Sequence, residues 1–224
     1  MIKILVRIKG IILRPVPTLR EVKERKPSLL EPFLIILSQG LLTGIAALIS
    51  VLKILNVLQI DPNEVGLKGI SGVRMIYGTL IFSFATWPMV SGVFHLTAKI
   101  FKGSGKFEKL LELIGWCRIP QIFSSGSNLL TAALYSPKID VPLQGMSSTE
   151  KAEFIRNYLM TRMDEVSFVA NRIFGYVMLI WFLYLSIFAV KEEHNISFQK
   201  AALSVAIPSI IYLIGSLFLL SPVR

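Results

Sequence analysis

The stretch Phe33–Leu52, FLIILSQGLLTGIAALISVL, contains no charged residue and decides the fold. A helix rises about 1.5 Å per residue, so a run of about twenty apolar residues matches the ~30 Å hydrocarbon core of a bilayer. Lipid offers no partners to backbone N–H and C=O groups, so such a run must satisfy its own hydrogen bonds as a helix. The stretch therefore predicts a transmembrane helix.

Similar apolar runs recur along the chain. They lie near Met75–Ala98, Leu110–Leu134, Phe168–Val190 and Ala201–Leu220. The 224 residues are 53% hydrophobic and 17% charged, a composition typical of membrane proteins. We expect an all-α, polytopic membrane protein with five transmembrane helices. A basic segment, residues 1–31, precedes a membrane domain, residues 32–224.

The net charge of +10 is distributed unevenly between the loops. Lysine and arginine are concentrated in residues 1–31, in the loop at 99–109 and in the loop at 191–200. The positive-inside rule therefore predicts a cytoplasmic N-terminus and, after five crossings, an external C-terminus in the cell membrane. Because membrane orientation accounts for the basic charge, we expect anionic lipid at the cytoplasmic face as a partner and no nucleic acid.

The first thirteen residues, MIKILVRIKGIIL, place apolar and basic side chains on partly separate faces of a helix. This pattern is typical of a helix that lies in the membrane interface, although an unstructured basic flank would fit equally well. Pro15 and Pro17 are expected to end that helix. A short polar helix over residues 18–26 follows. In the longest polar loop, the capping-box pattern Ser147–Glu150 predicts an amphipathic outer helix.

Gly40 and Gly44 are four residues apart in the first run, and Ala47 follows on the same side. Small residues at this spacing allow two helix backbones to approach closely, so this face is predicted to pack on another helix. A helix of the same molecule is favoured. Contact with another membrane protein, or with a second copy in a homo-oligomer, stays open.

The third run contains the most unusual polar residues of the chain. Arg118 lies about nine residues after Lys109, where a cation costs several kcal/mol unless it reaches the interface or finds a partner. It stands beside Pro120, which is expected to bend this span, and a polar stretch ending at Asn128 follows. Glu112 is expected within reach of Lys109 and the lipid headgroups. Arg118, Pro120, Glu112 and Asn128 are therefore candidate functional residues. The alternative for Arg118 is a structural bond to carbonyls freed by the proline.

The sequence contains no group of residues whose spacing predicts catalysis, metal binding or phosphate binding. His194 follows two glutamates in what reads as a solvated loop, and His95 has no partner at metal-ligand spacing. Cys117 is the single cysteine. The motif around Lys102–Lys106 lacks the first glycine and the hydroxyl of a phosphate-binding loop. We therefore expect no catalytic residues, no cofactor and no metal.

Several short motifs together resemble the Yip domain family, the Ypt/Rab-interacting type of five-span membrane protein. They are RPVPTLREV at 14–22, PSLLEP at 27–32, FEKLLELIGW at 107–116 with Ile119 and Pro120, Trp181, and HNISFQKA at 194–201. Gly115, Trp116 and Pro120 lie on the family's Gly-Tyr...Pro pattern, with tryptophan for the usual tyrosine.

This resemblance implies a membrane protein without known catalysis. Eukaryotic members act in vesicle trafficking through prenylated Rab GTPases and through one another. The chain lacks their long N-terminal tail and their acidic, aromatic stretch before the first span, so it is similar to the compact prokaryotic type. We expect a non-enzymatic protein that acts through protein partners or on membrane organisation. The alternatives are a small permease or channel with a polar interior around Arg118, and a subunit of a larger membrane complex.

Overall fold

The structure is a computed structural model that describes residues 2–57, 69–134 and 166–220. The backbone of these residues forms helices and no strands, which confirms the all-α prediction. The helices are α1 (Ile2–Leu13), α2 (Pro15–Glu24), α3 (Leu30–Val57), α4 (Gly69–Ile100), α5 (Phe107–Cys117), α6 (Ile119–Leu134), α7 (Val166–His194) and α8 (Phe198–Leu220). The outer helix predicted after Ser147 lies outside the described residues.

Most of segment 1–31 folds as the two short helices α1 and α2, and its last two residues begin α3. The second begins at Pro15, not at the expected Thr18, and Pro15 and Pro17 lie in its first turn. Proline fits there because its fixed φ suits a helix start and its missing N–H would have no partner within the helix. The prolines therefore begin α2 as well as separating it from α1.

Among the described residues, three helices are long and apolar enough to cross a membrane: Leu30–Asn56, Gly72–Ile100 and Ser167–His194. The apolar helix Phe198–Ile214 is shorter. Large apolar side chains such as Ile81, Phe82 and Ile180 are exposed on these helices. A soluble protein rarely leaves so many apolar side chains uncovered, whereas lipid covers them at no cost. The chain is therefore a helical membrane protein.

The third apolar run differs from the prediction, because it forms two helices and not one bent span. Helix α5 ends at Cys117 and α6 starts at Ile119, with Arg118 between them. The backbone N–H of Arg118 donates a hydrogen bond to the carbonyl oxygen of Gly115, three residues earlier, with an N···O distance of 3.2 Å. Pro120 has no N–H to donate and its ring crowds the preceding turn, which favours a break at this point. Pro88 and Pro208, in contrast, lie inside helices α4 and α8.

The chain divides into two compact units. The first, which we call the basic unit, comprises residues 1–38, 83–121 and 179–224. The second, the glycine unit, comprises residues 39–82 and 122–178.

In the glycine unit, Gly44 lies directly against α4. A Cβ added at Gly44 would be 2.5 Å from the Thr79 hydroxyl oxygen and 3.0 Å from the Cα of Ile76. The same hydroxyl lies 3.3 Å from the carbonyl oxygen of Gly40. The predicted glycine face thus packs on a helix of the same chain.

Candidate functional site

Glu112 is the centre of a buried ion cluster in the basic unit. Its side chain is 0% exposed, and its two carboxylate oxygens accept hydrogen bonds from Lys109 Nζ at 2.7 Å and from an Arg25 guanidinium nitrogen at 3.0 Å. The expected contact of Glu112 with Lys109 is confirmed, whereas the expected position within reach of the lipid headgroups is wrong, because the side chain is buried. The Glu112 carboxylate lies inside the protein, where a charged group is stable only when it is paired, as it is here with Lys109 and Arg25.

Lys109 binds the C-terminal end of α2. Its ammonium donates to the carbonyl oxygens of Val22 at 3.2 Å and Arg25 at 2.8 Å, in addition to the Glu112 carboxylate. A lysine has three N–H donors, so all of them are used. A cation is favourable at a helix C-terminus, where carbonyl oxygens carry partial negative charge. Lys109 thus anchors segment 1–31 on α5.

Arg25 and Glu31 extend the cluster toward α1. Arg25 also pairs with the Glu31 carboxylate, and Arg7 of α1 pairs with the other Glu31 oxygen. The cluster therefore contains three cations and two carboxylates, namely Arg7, Arg25, Lys109, Glu31 and Glu112. It links α1, α2, the start of α3 and α5.

A second set of contacts joins α2 to the end of α7. Arg20 pairs with Glu192 at 3.0 Å, and the hydrogen bond to this carboxylate raises the pKa of Arg20 above its ordinary value. Lys23 donates to the Glu192 carbonyl and, at 3.0 Å, to the side-chain oxygen of Asn195. Asn195 has a φ of 54°, the left-handed conformation that commonly ends a helix. Lys23 thus binds the end of α7 as Lys109 binds the end of α2.

The loop between α4 and α5 contacts the same helix end. The N–H of Ser104 donates to the His194 carbonyl at 3.1 Å, and the N–H of Lys106 donates to the Glu193 carboxylate at 2.7 Å. A Cβ on Gly103 would lie 2.6 Å from His194 Nδ1, so only glycine fits there. The prediction of a solvated loop at His194 is wrong, because α7 continues to His194 and this side chain is buried.

These contacts bring together the three basic segments of the sequence, residues 1–31, 99–109 and 191–200. We call the surface that they form the basic face. This contact is consistent with the prediction, drawn from the charge distribution, that the three segments share one side of the membrane.

Arg118 lies in the same unit but does not join the cluster. It is 7% exposed, and its nearest acceptor is the Thr86 hydroxyl at 3.4 Å. The Phe182 ring centroid lies 6.0 Å from its guanidinium carbon, and Nε has no partner among the described residues. No described carbonyl accepts from its guanidinium. The alternative of a bond to carbonyls freed by Pro120 thus finds no contact in this part of the chain.

The family-motif residues lie close to segment 27–32. A Cβ on Gly115 would be 2.4 Å from the Pro32 Cβ, so the start of α3 packs directly on α5. Trp116 is buried, and the Arg25 guanidinium carbon lies 6.0 Å from its ring centroid. Pro120 follows at the helix break. Gly115 and Trp116 thus support the positions of Pro32 and Arg25.

Asn128 belongs to the glycine unit, apart from the other candidates. Its side-chain oxygen accepts from Asn171 at 2.7 Å, and the Asn171 oxygen accepts from Ser127 at 2.6 Å. This polar chain between α6 and α7 satisfies amides within apolar helices. Sequence reasoning missed Asn171, although a polar residue in an apolar run was the available signal. Among the described residues, no group of three or more His, Cys, Asp or Glu could hold a metal ion.

The sequence pattern of the Yip1 domain matches residues 9–220, nearly the whole chain. The chain belongs to the Yip1 domain family. It is also similar to an uncharacterized protein of Methanocaldococcus jannaschii, with 29% identity over 119 residues that cover 53% of this chain and 83% of the relative. No solved structure matches it. The resemblance drawn from the short motifs is thus confirmed.

Proposed function

We propose that this Yip1-family protein is a non-enzymatic component of the cell membrane that acts through the basic face. In this proposal the basic face is cytoplasmic, the chain crosses the membrane five times and the C-terminus is outside. The face binds anionic lipid and other membrane proteins, including further copies of the chain. Its action is on partner proteins or on membrane organisation, not on a substrate.

The proposal is supported by α1, which is buried on one side and exposed on the other. Leu5, Val6 and Leu13 are exposed on this helix, while Ile11 is fully buried against the rest of the unit. Arg7 is held by Glu31, and Lys9 is exposed nearby. A helix that is fixed on one side and apolar with basic neighbours on the other is suited to a membrane interface or a partner helix.

Photocrosslinking in intact membranes tests the proposal. A benzophenone amino acid replaces Leu13 in one variant and Ile11 in a control, because Leu13 lies on the exposed side of α1 and Ile11 on its buried side. We expect adducts with lipid or with a second protein from position 13, and adducts within the chain from position 11. Lipid adducts indicate membrane organisation, and protein adducts identify the partner.

A flux measurement separates this function from transport. Full-length protein in liposomes is expected to pass ions and small anions no faster than protein-free liposomes. Flux that disappears in Arg118→Gln would contradict the proposal and favour a permease or channel.

A further inference from the structure

Arg118 is a buried cation with too few acceptors. A guanidinium has five N–H donors, and good N–H···O bonds are 2.7–3.2 Å long. Among the described residues, the guanidinium has one hydrogen-bond acceptor, the Thr86 hydroxyl at 3.4 Å, and one ring contact, with Phe182 at 6.0 Å, while Nε has no acceptor. Burying donors without partners is costly. Most donors of Arg118 therefore lack an acceptor in this part of the chain.

The two carboxylates of the ion cluster are already used. Glu112, on α5, accepts from Lys109 and Arg25. Glu31 accepts from Arg7 and Arg25, and it lies with them in the same cluster. The described structure contains no ion pair of Arg118. Its positive charge is thus left without a counter-charge from these residues.

The backbone at this point also favours an anion. Arg118 stands between the C-terminal end of α5 and the N-terminal end of α6. The N-terminus of a helix carries partial positive charge, so a cation placed there is destabilised and an anion is stabilised. The helix end adds to the effect of the buried, almost unpartnered guanidinium beside it.

We propose that Arg118 binds the phosphate group of an anionic phospholipid. The planar fork of arginine matches two oxygens of one phosphate, which would satisfy donors that the protein leaves open. A bilayer supplies phosphate esters along its whole surface, so lipid is the source that a membrane protein meets at highest concentration. This site is separate from the basic face and does not depend on the proposed function.

Native mass spectrometry of the full chain in a neutral detergent tests the site. The probes are phosphatidylglycerol, phosphatidylcholine and inorganic phosphate. We expect wild-type protein to bind one phosphatidylglycerol at least tenfold more tightly than phosphatidylcholine, and inorganic phosphate more weakly than the lipid. Arg118→Gln should lose about tenfold in phosphatidylglycerol affinity, because a charged bidentate contact is replaced by a neutral one.

The matched control is Arg74→Gln, which removes an exposed arginine of α4 and should change the affinity less than twofold. Arg118→Lys keeps the charge and should lose several-fold, since it removes the planar fork. Equal retention of both lipids by wild-type protein would overturn the proposal without any variant. Wild-type affinity in Arg118→Gln would overturn it too. Saturation by inorganic phosphate with no tighter binding of lipid would overturn the lipid assignment.

Discussion

Glu112→Gln should destabilise the protein strongly while preserving the shape of the side chain. The substitution removes the charge of a carboxylate that is 0% exposed and accepts from both Lys109 and Arg25. Removing one partner of a buried ion pair costs about 3–5 kcal/mol, because the remaining charge stays buried without compensation. Lys109 keeps two carbonyl acceptors and Arg25 keeps Glu31, so we expect the lower end, about 3 kcal/mol.

A loss of about 3 kcal/mol corresponds to roughly a hundredfold change in the ratio of folded to unfolded protein. For a chain of this size it lowers Tm by about 6–12 °C. Cys117 provides the assay, because it is the single cysteine, is buried and lies on α5 with Glu112. A thiol-reactive fluorescent dye therefore reports the opening of this helix on heating in detergent.

The matched control is Glu108→Gln, one turn earlier on α5, where the side chain is exposed. It should change stability by less than about 0.5 kcal/mol. Raising the salt concentration should leave the difference between the two variants nearly unchanged, since a buried pair is weakly screened. Equal melting of Glu112→Gln and Glu108→Gln would refute the reasoning and show that the cluster is hydrated.

Gly44→Ala should lower the free energy of unfolding by about 1–3 kcal/mol through overpacking on α4, measured by thermal unfolding. Gly78→Ala is its control, because a Cβ there would meet nothing within 4 Å, and equal effects would contradict the packing argument. Gly115→Ala should cost a similar about 1–3 kcal/mol in the same assay, since its Cβ would lie 2.4 Å from a proline ring carbon of α3. In a background without the native cysteine, Lys26→Cys should resist a membrane-impermeant thiol reagent applied from outside, and Lys138→Cys should react. Labelling of position 26 from outside would contradict the proposed orientation.

The long apolar helices could be predicted from the sequence, because each helix that crosses a bilayer must by itself be long and apolar enough to do so. The signal is therefore local to each segment. The break at Arg118 could be predicted only in part. Pro120 indicated a bend, but whether a helix bends or ends depends on which neighbours accept the freed backbone groups.

The ion cluster could not be predicted, because its members are far apart in sequence. Arg25 and Glu112 are separated by 87 residues, and nothing local to either indicates the other. Lys109 was counted only as a basic residue of a loop, because its burial under α2 is a tertiary property. The error at His194 has the same origin, since Gly103 and Ser104 of a loop distant in sequence contact it.

The separation between Arg25 and Glu112 also sets an order of events during synthesis. Ribosomes add about 5–20 residues per second, so the carboxylate emerges about 4–17 s after the guanidinium that it binds. Arg20 waits longer still, because Glu192 is 172 residues away. In the proposed orientation these cations are available to anionic headgroups during that interval and favour retention of the N-terminus on the cytoplasmic side. The same charges would then have two roles, first in orienting the nascent chain and later in the ion pairs of the folded protein.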